Sequence, residues 1–194
     1  MKRFLLLTGI VCSVLSAEAQ VHYGIKGGLN LSDIGGADAG DNKMKIGYHI
    51  GGFVKVPVAD QFSVQPELVF SAQGFSIKED GDNSKLNANY INLPLLASYS
   101  FGKGLYAEAG PRLGFLLSAK VRNEGESTNV KDDFKKLDFA WVLGIGYQLQ
   151  EKLSVNARFN LGLSKLDKEG HYKTFNRVIQ AGIQYTLGKS TGIK

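Results

Sequence analysis

Apolar and polar residues alternate along eight separate segments of this chain. In the first segment, residues 21–31, Ile25 and Leu29 fall on one face, whereas Lys26 and Asn30 fall on the other. Successive side chains of a β-strand point to opposite sides, so this period predicts a strand with one apolar and one polar face. The other seven segments repeat the pattern, at residues 46–56, 62–73, 90–101, 105–117, 137–149, 153–164 and 179–187. The pattern predicts an all-β fold.

The links between these segments come in two lengths. Three are tight turns and four are long and polar: the turns are residues 58–60, 102–104 and 150–152, and the long links are residues 33–45, 77–85, 122–136 and 165–175. Short turns at one rim and long loops at the other are typical of a barrel that crosses the outer membrane, with its short turns in the periplasm. We therefore predict an eight-stranded antiparallel up-and-down transmembrane β-barrel.

The content of the polar face predicts which side of the barrel is inside. That face is rich in glycine, at positions such as Gly24, Gly28, Gly47, Gly51, Gly110, Gly114, Gly144, Gly146, Gly162 and Gly182. Glycine weakens a strand, but in a narrow eight-stranded barrel it leaves room for large neighbours, so we expect the polar face to line the lumen. Outward-facing aromatics near the short turns would then form an interfacial girdle: Phe62, Tyr99, Phe101, Tyr147 and Tyr185. The alternative is a soluble periplasmic lipocalin-like barrel that binds an apolar ligand inside.

The first residues predict an exported protein. A basic start is followed by a mostly apolar stretch and then by Ala17-Glu18-Ala19, the small-x-small pattern that a signal peptidase accepts. We therefore predict a signal peptide at residues 1–19 and one barrel domain at residues 20–194. The single cysteine, Cys12, falls within the signal, so no disulfide is expected. The net charge of +5 is spread along the chain without a basic block, which gives no indication of nucleic-acid binding.

Charged residues on the polar face are predicted to meet inside the lumen. Pairing the hairpins through their turns places Glu67, Glu108, Arg112 and Arg158 near one level of the barrel. Two acids and two bases can neutralise one another there, which makes their burial acceptable. Arg112 is expected to face Gly146, and Lys120 is expected to face Asp138 higher up. The cluster could be a gate or plug, or a polar core that holds the strands in register.

We find no residue pattern that predicts catalysis or a bound cofactor. His22 and His49 both face inward but lie several residues apart, and His171 falls in a loop, so no metal site is expected. No Ser/His/carboxylate grouping has a spacing that would bring all three to the loop rim. We therefore predict no enzyme activity and no cofactor. A lipid-modifying outer-membrane enzyme remains an alternative, because such enzymes exist on barrels of this kind.

Four segments resemble the porin-family outer-membrane β-barrel domain, in particular the small OmpA/OmpX-like barrels. They are YINLPLL (90–96), AGPRLGFLLSAK (109–120), KLDFAWVLGIGYQL (136–149) and ARFNLGLSKL (157–166). The resemblance implies an integral protein of the Gram-negative cell outer membrane, in contact with outer-membrane lipid, lipopolysaccharide and the barrel-assembly machinery. We expect a monomer that acts as an envelope scaffold, an adhesion surface or a narrow pore with a charged, plugged lumen.

The chain departs from this family pattern in two ways. Such chains often end on an aromatic residue that the assembly machinery reads, whereas here Tyr185 and Leu187 precede a polar tail at residues 188–194. Pro94 and Pro111 lie within predicted strands, where a proline cannot donate to the hydrogen-bond ladder. We therefore expect a local bulge near these two prolines.

Overall fold

The computed structural model describes residues 20–36, 42–79, 82–123, 126–166 and 174–190 of the chain. Nine strands and one short 3-10 turn form within these ranges. The strands are β1 (Val21–Gly35), β2 (Asn42–Pro57), β3 (Phe62–Glu79), β4 (Asp82–Gly102), β5 (Leu105–Asn123), β6 (Glu126–Asn129), β7 (Leu137–Gln150), β8 (Leu153–Lys165) and β9 (Phe175–Ser190), and the 3-10 turn is Lys131–Asp133.

Eight of these strands close into one antiparallel barrel, as the sequence predicts. The order around the wall is β1-β2-β3-β4-β5-β7-β8-β9, and the pairing of β9 with β1 closes it. β6 is a four-residue strand that pairs with β5 beyond the barrel wall. Closure leaves no strand edge in the barrel unpaired, which a strand that crosses lipid requires.

None of the helical segments in the described ranges is both long and apolar enough to cross a membrane.

The two rims of the barrel differ as expected, but the strands reach further than predicted at one of them. At the short-turn rim, Lys103 adopts a positive φ of 50° between two glycines that also have positive φ. At the long-loop rim, residues 77–79 and 82–85 of the predicted loop instead continue the β3–β4 ladder, in which Ile77 pairs with Ser84 and Glu79 with Asp82. Apart from Ile77 these residues are polar on both faces, so their period of two could not be seen in the sequence.

The apolar face points outward and the polar face lines the lumen. Ile46 is 70% exposed and Ile145 63%, whereas Asn30 and Ser71 are fully buried. Gly146 shows why the lining is rich in glycine, since a Cβ there would lie 2.1 Å from the ring of Tyr106. A lipocalin-like barrel has the reverse arrangement, so the alternative of a soluble barrel with an apolar interior is wrong.

Aromatic side chains surround the short-turn rim. Phe62 and Phe101 both contact Tyr99 edge to face, with ring centroids 5.4 Å and 5.1 Å apart. The Tyr99 hydroxyl donates to the side chain of Gln61 in the adjacent turn. Tyr147 is also exposed on the outer face. Amphipathic rings at this height are typical of the girdle at a membrane–water interface.

A β-bulge in β5 exchanges the two faces of this strand near the long-loop rim. Two consecutive residues of β4 pair with Leu116 and Ser118, so Leu117 is an extra residue in the ladder. One extra residue turns every later side chain of the strand to the opposite face. Ala119 is therefore buried inside the barrel, and Lys120 is exposed on the outside.

The bulge expected at the two prolines is wrong. The β4–β5 ladder is interrupted after Pro94, but it resumes at Ala97 in the same register. Pro111 pairs with Trp141 in a β5–β7 ladder that has no register shift. The missing proline N–H groups thus remove hydrogen bonds without adding a residue to either strand.

Candidate functional site

Four charged side chains meet inside the barrel in a group that we call the Arg158 cluster: Lys26, Glu67, Glu108 and Arg158. Arg158 donates from Nη1 and Nη2 to the two carboxylate oxygens of Glu67, both at 2.8 Å. It also donates from Nε and Nη2 to Glu108, at 2.5 Å and 3.0 Å. Lys26 Nζ adds a bond of 2.9 Å to Glu67. One guanidinium therefore holds two carboxylates, one of which also binds the ammonium group.

The Arg158 cluster spans the full width of the lumen. Glu67 lies on β3 and Arg158 on β8, which are four strands apart in either direction around the eight-stranded wall. Lys26 on β1 and Glu108 on β5 are opposite each other in the same way. The Glu67–Arg158 ion pair thus connects two facing walls, and the bonds of Lys26 to Glu67 and of Arg158 to Glu108 extend it to the other two.

Burial makes the charge balance of this cluster important. None of its four side chains is more than 2% exposed. Isolated charges in such a site cost several kcal/mol each, whereas paired charges that are also hydrogen-bonded compensate one another. Gln65 Nε2 donates a further bond of 2.7 Å to Glu67. The two acids and two bases leave the cluster neutral.

A second, uncharged layer lies nearer to the long-loop rim. Asn30 is at its centre and donates from Nδ2 to Ser71 Oγ at 2.9 Å and to two main-chain carbonyls. Its Oδ1 accepts from Gln180 Nε2 and from His49 Nδ1, each at 2.9 Å. These side chains come from four neighbouring strands, β9, β1, β2 and β3. The layer covers this half of the lumen wall with direct side-chain contacts.

A third layer contains the second buried ion pair. Arg112 donates from Nη2 to the carboxylate of Asp138, whose other oxygen accepts from Ser164 Oγ at 2.9 Å. Asn176 Nδ2 on β9 lies 3.4 Å from the same carboxylate and donates to Gln73 Oε1 on β3 at 2.6 Å. The two charges are again paired within the lumen.

Apolar side chains close the mouth of the barrel above these layers. Ala88, Tyr90, Leu116 and Ala119 form a buried cluster, against which Val130 and Phe134 pack from the segment that follows β6. The main chain fixes this segment, because Val130 N donates to the carbonyl of Ala119 and Lys135 N to that of Leu166. The second half of the predicted long link, residues 130–135, thus packs against the apolar cluster inside the barrel.

The structure brings together some of the predicted lumen residues and separates others. Glu67, Glu108 and Arg158 meet, whereas Arg112 belongs to the third layer. Arg112 pairs with Ala140 in the ladder, so the expected position opposite Gly146 is wrong.

The expected contact between Lys120 and Asp138 is also wrong. Asp138 binds Arg112, and Lys120 lies outside the barrel because of the bulge at Leu117.

Lys26 is the member of the Arg158 cluster that the sequence reasoning missed. Its place on the polar face of the first segment was a signal that it points into the lumen. Its partner Glu67 lies on β3, which is not adjacent to β1 in the barrel. The long link after β1 gives no short turn from which the register of this strand could be set, so its contacts in the lumen were not predicted.

The two histidines that the structure describes lie at different levels of the barrel. His49 belongs to the uncharged layer, His22 lies near the short-turn rim, and His171 is outside the described residues. Among the residues described, no group of three or more His, Cys, Asp or Glu side chains could hold a metal ion. The predicted signal peptide at residues 1–19 is likewise outside the described part of the chain.

An apolar outer wall around a charged and hydrogen-bonded axis defines a transmembrane β-barrel. The family of the outer membrane protein beta-barrel domain matches residues 16–168, which is more than half of the chain. The chain belongs to this family and is a protein of the outer membrane. No curated protein matches it.

Two solved structures show the same fold. Ail, the attachment invasion locus protein of Yersinia pestis, is 16% identical with a TM-score of 0.53, and the match covers 87% of this chain and 99% of Ail. One of its crystal structures contains the heparin analogue sucrose octasulfate. Neisserial surface protein A is 10% identical with a TM-score of 0.57, over 85% of this chain and 97% of that protein. Both are similar to this chain in fold.

Proposed function

We propose that this outer-membrane barrel is closed to solutes and acts at the cell surface, as an envelope scaffold or an adhesion surface. Its working parts are then the long-loop rim and the loops that this rim carries. The barrel itself serves as a rigid support anchored in the membrane. The main support for this proposal is the Arg158 cluster, which connects opposite walls of the lumen through fully buried ion pairs.

Two further features support a closed lumen. The uncharged layer around Asn30 and the third layer around Arg112 and Asp138 lie at successive levels of the axis. Opening a path for solute would require all three layers to separate, and each separation would leave buried charges or polar groups without partners. The cost of one such buried unpaired polar group is about 1–3 kcal/mol, and more for a charge.

Single-channel recording tests this proposal. We expect the purified wild-type protein, reconstituted in planar lipid bilayers, to give no large and steady conductance steps. A general diffusion porin inserted under the same conditions serves as the positive control. Frequent, stable openings of porin-like size in the wild-type protein would contradict a closed barrel.

A narrow pore is the second candidate. Some buried polar atoms of the lumen have no hydrogen-bond partner within the described residues, among them Asn92 Oδ1, Arg112 Nε and Gln184 Nε2. Buried polar atoms of this kind usually bind water, which supports a thin hydrated path beside the ion pairs.

Swelling of proteoliposomes in urea separates the two candidates. We expect liposomes that contain the wild-type protein to swell in isotonic urea at the rate of protein-free liposomes, because the three layers block the axis. Unfolded protein added to the same lipid controls for leakage. Swelling that is clearly faster than in both controls supports the narrow pore.

A further inference from the structure

Three basic side chains lie on the outer surface of the barrel at the long-loop rim. We call this group the basic patch and define it as Lys85, Lys120 and Arg122. Lys85, Lys120 and Arg122 are exposed. Lys85 on β4 pairs directly with Arg122 on β5, and Lys120 lies two residues away on β5. Three cations thus share one small area of two adjacent strands.

The patch faces the membrane side of the wall. On β4, Lys85 is an even number of residues from Leu93 and Leu95, which are exposed on the lipid-facing surface, so it points to the same side. Leu86, the next residue after Lys85, is buried inside. On β5, the bulge at Leu117 turns the basic residues that follow it outward. The patch is therefore a continuation of the lipid-facing surface rather than part of the lumen.

Lys45 on β2 lies close to the patch. Its Nζ donates to Asn87 Oδ1 at 2.5 Å and lies 3.4 Å and 3.3 Å from two main-chain carbonyls of β3 and β4. Asn87 pairs in the ladder with Lys120, which fixes this ammonium group close to the three cations of the patch. Lys85 and Arg122 are near enough for their charges to repel that of Lys45.

The patch lies at the height of the outer lipid headgroups. Phe101 marks the aromatic rim at the short-turn end, and Ile91 is ten residues further along the lipid-facing side of β4. At a rise of about 3.3 Å per residue and a tilt of about 40°, these residues differ in height by about 25 Å, which is the thickness of the apolar band. On the same scale Asn87, with Lys120 opposite it, is about 10 Å above this band and Lys85 about 15 Å, from where long basic side chains extend down towards the headgroups. These residues are on the cell-surface side, because the short turns face the periplasm.

Among the side chains whose placement the structure describes, none forms an ion pair with Lys85, Lys120 or Arg122. By contrast, Arg177 on the other side of the same rim binds Asp33 at 3.1 Å. Like charges directly opposite each other on neighbouring strands are destabilising, so the pairing of Lys85 with Arg122 favours an external anion.

We propose that the basic patch binds the phosphate groups of the lipid A part of lipopolysaccharide in the outer leaflet. Its height places it beside phosphorylated headgroups, and its cations sit on a rigid ladder that extends above the apolar band. Lysine and arginine are the side chains that bind phosphate, through charge-assisted hydrogen bonds. This proposal does not depend on whether the lumen is closed, because the patch is outside the barrel.

Energy transfer from the single tryptophan, Trp141, to a labelled lipid tests the proposal. The mature protein in a neutral detergent is titrated with dansyl-labelled diphosphoryl lipid A at low salt. The variant K85Q/K120Q/R122Q is compared with K103Q/K152Q/K189Q, which loses the same number of charges from exposed positions at the short-turn rim. We expect the first variant to bind on the order of 100-fold more weakly than wild type, and the second to bind within about twofold of it.

The other arms of the experiment separate lipid phosphate from other causes. Lipid A without phosphate groups should bind weakly to the wild-type protein. Its affinity should be no higher than that of K85Q/K120Q/R122Q for the phosphorylated lipid. Both variants should fold as wild type does in detergent without lipid A, because the changed side chains are exposed. Equal binding by the two variants would overturn the proposal. Competition by inorganic phosphate at the same phosphate concentration would also overturn it, because the patch would then be a site for soluble anions.

Discussion

Replacement of Arg158 by methionine is expected to lower the free energy of unfolding of the barrel by about 3–5 kcal/mol. The variant leaves Glu67 and Glu108 buried with one cation, Lys26, between them, and it removes four hydrogen bonds donated by the guanidinium. Uncompensated buried carboxylates are more costly than the loss of an exposed pair. Urea unfolding in lipid vesicles, followed by the fluorescence of Trp141, measures the change.

Two controls show whether charge balance is the cause. Adding Glu108→Gln to Arg158→Met leaves Lys26 and Glu67 as a neutral pair and should recover much of the loss. Arg177→Met removes the exposed ion pair with Asp33 at the long-loop rim and should cost at most about 1 kcal/mol. Equal effects of Arg158→Met and Arg177→Met would contradict the role assigned to the Arg158 cluster.

The second large effect is expected from Gly28→Ala, at about 1–3 kcal/mol of lost stability. Gly28 points into the lumen opposite Gly182, and a Cβ there would lie 2.1 Å from the carbonyl oxygen of Ala181. The contact is with main chain of the neighbouring strand, so it cannot be relieved by rotation of a side chain. The β1–β9 seam, which closes the barrel, would have to shift. The temperature at which the folded band is lost in heat-modified gels measures this effect.

The adjacent Gly27 is a matched control. It faces outward, and a Cβ at this position would have its nearest contact at 3.4 Å, with the carbonyl of His49. Gly27→Ala should therefore leave stability unchanged or raise it slightly, since alanine disfavours a strand less than glycine does. If Gly27→Ala and Gly28→Ala lowered the unfolding temperature equally, crowding inside the barrel would not explain the glycines.

The sequence was sufficient to predict the barrel because two independent patterns agree. The period of two fixes both faces of every strand in the apolar band, and the short links fix which strands are neighbours. Above the apolar band, the alternation of apolar and polar residues disappears. The β3–β4 ladder continues beyond Ile77 with polar residues on both faces, so its strands could not be distinguished from a loop.

Pairing through the turns correctly predicts that Glu67, Glu108 and Arg158 meet at one level of the lumen. It does not predict Lys26, because β1 is connected to β2 by a long link and no short turn sets its register. Lys120 was misplaced because one extra residue, Leu117, exchanges the faces of β5, and the alternation of the sequence continues across that point without a visible break.

The most direct test of the central claim uses Trp141, which is on the outer face and 43% exposed. It lies six residues from Tyr147 of the aromatic girdle, which places it about 15 Å above the rim and near the middle of the bilayer. The measurement is the quenching of its fluorescence in vesicles by lipids that carry a nitroxide at different depths. An outward apolar face predicts the strongest quenching by nitroxides deep in the acyl chains and little quenching by aqueous iodide. Strong iodide quenching with no effect of the deep nitroxides would contradict the account.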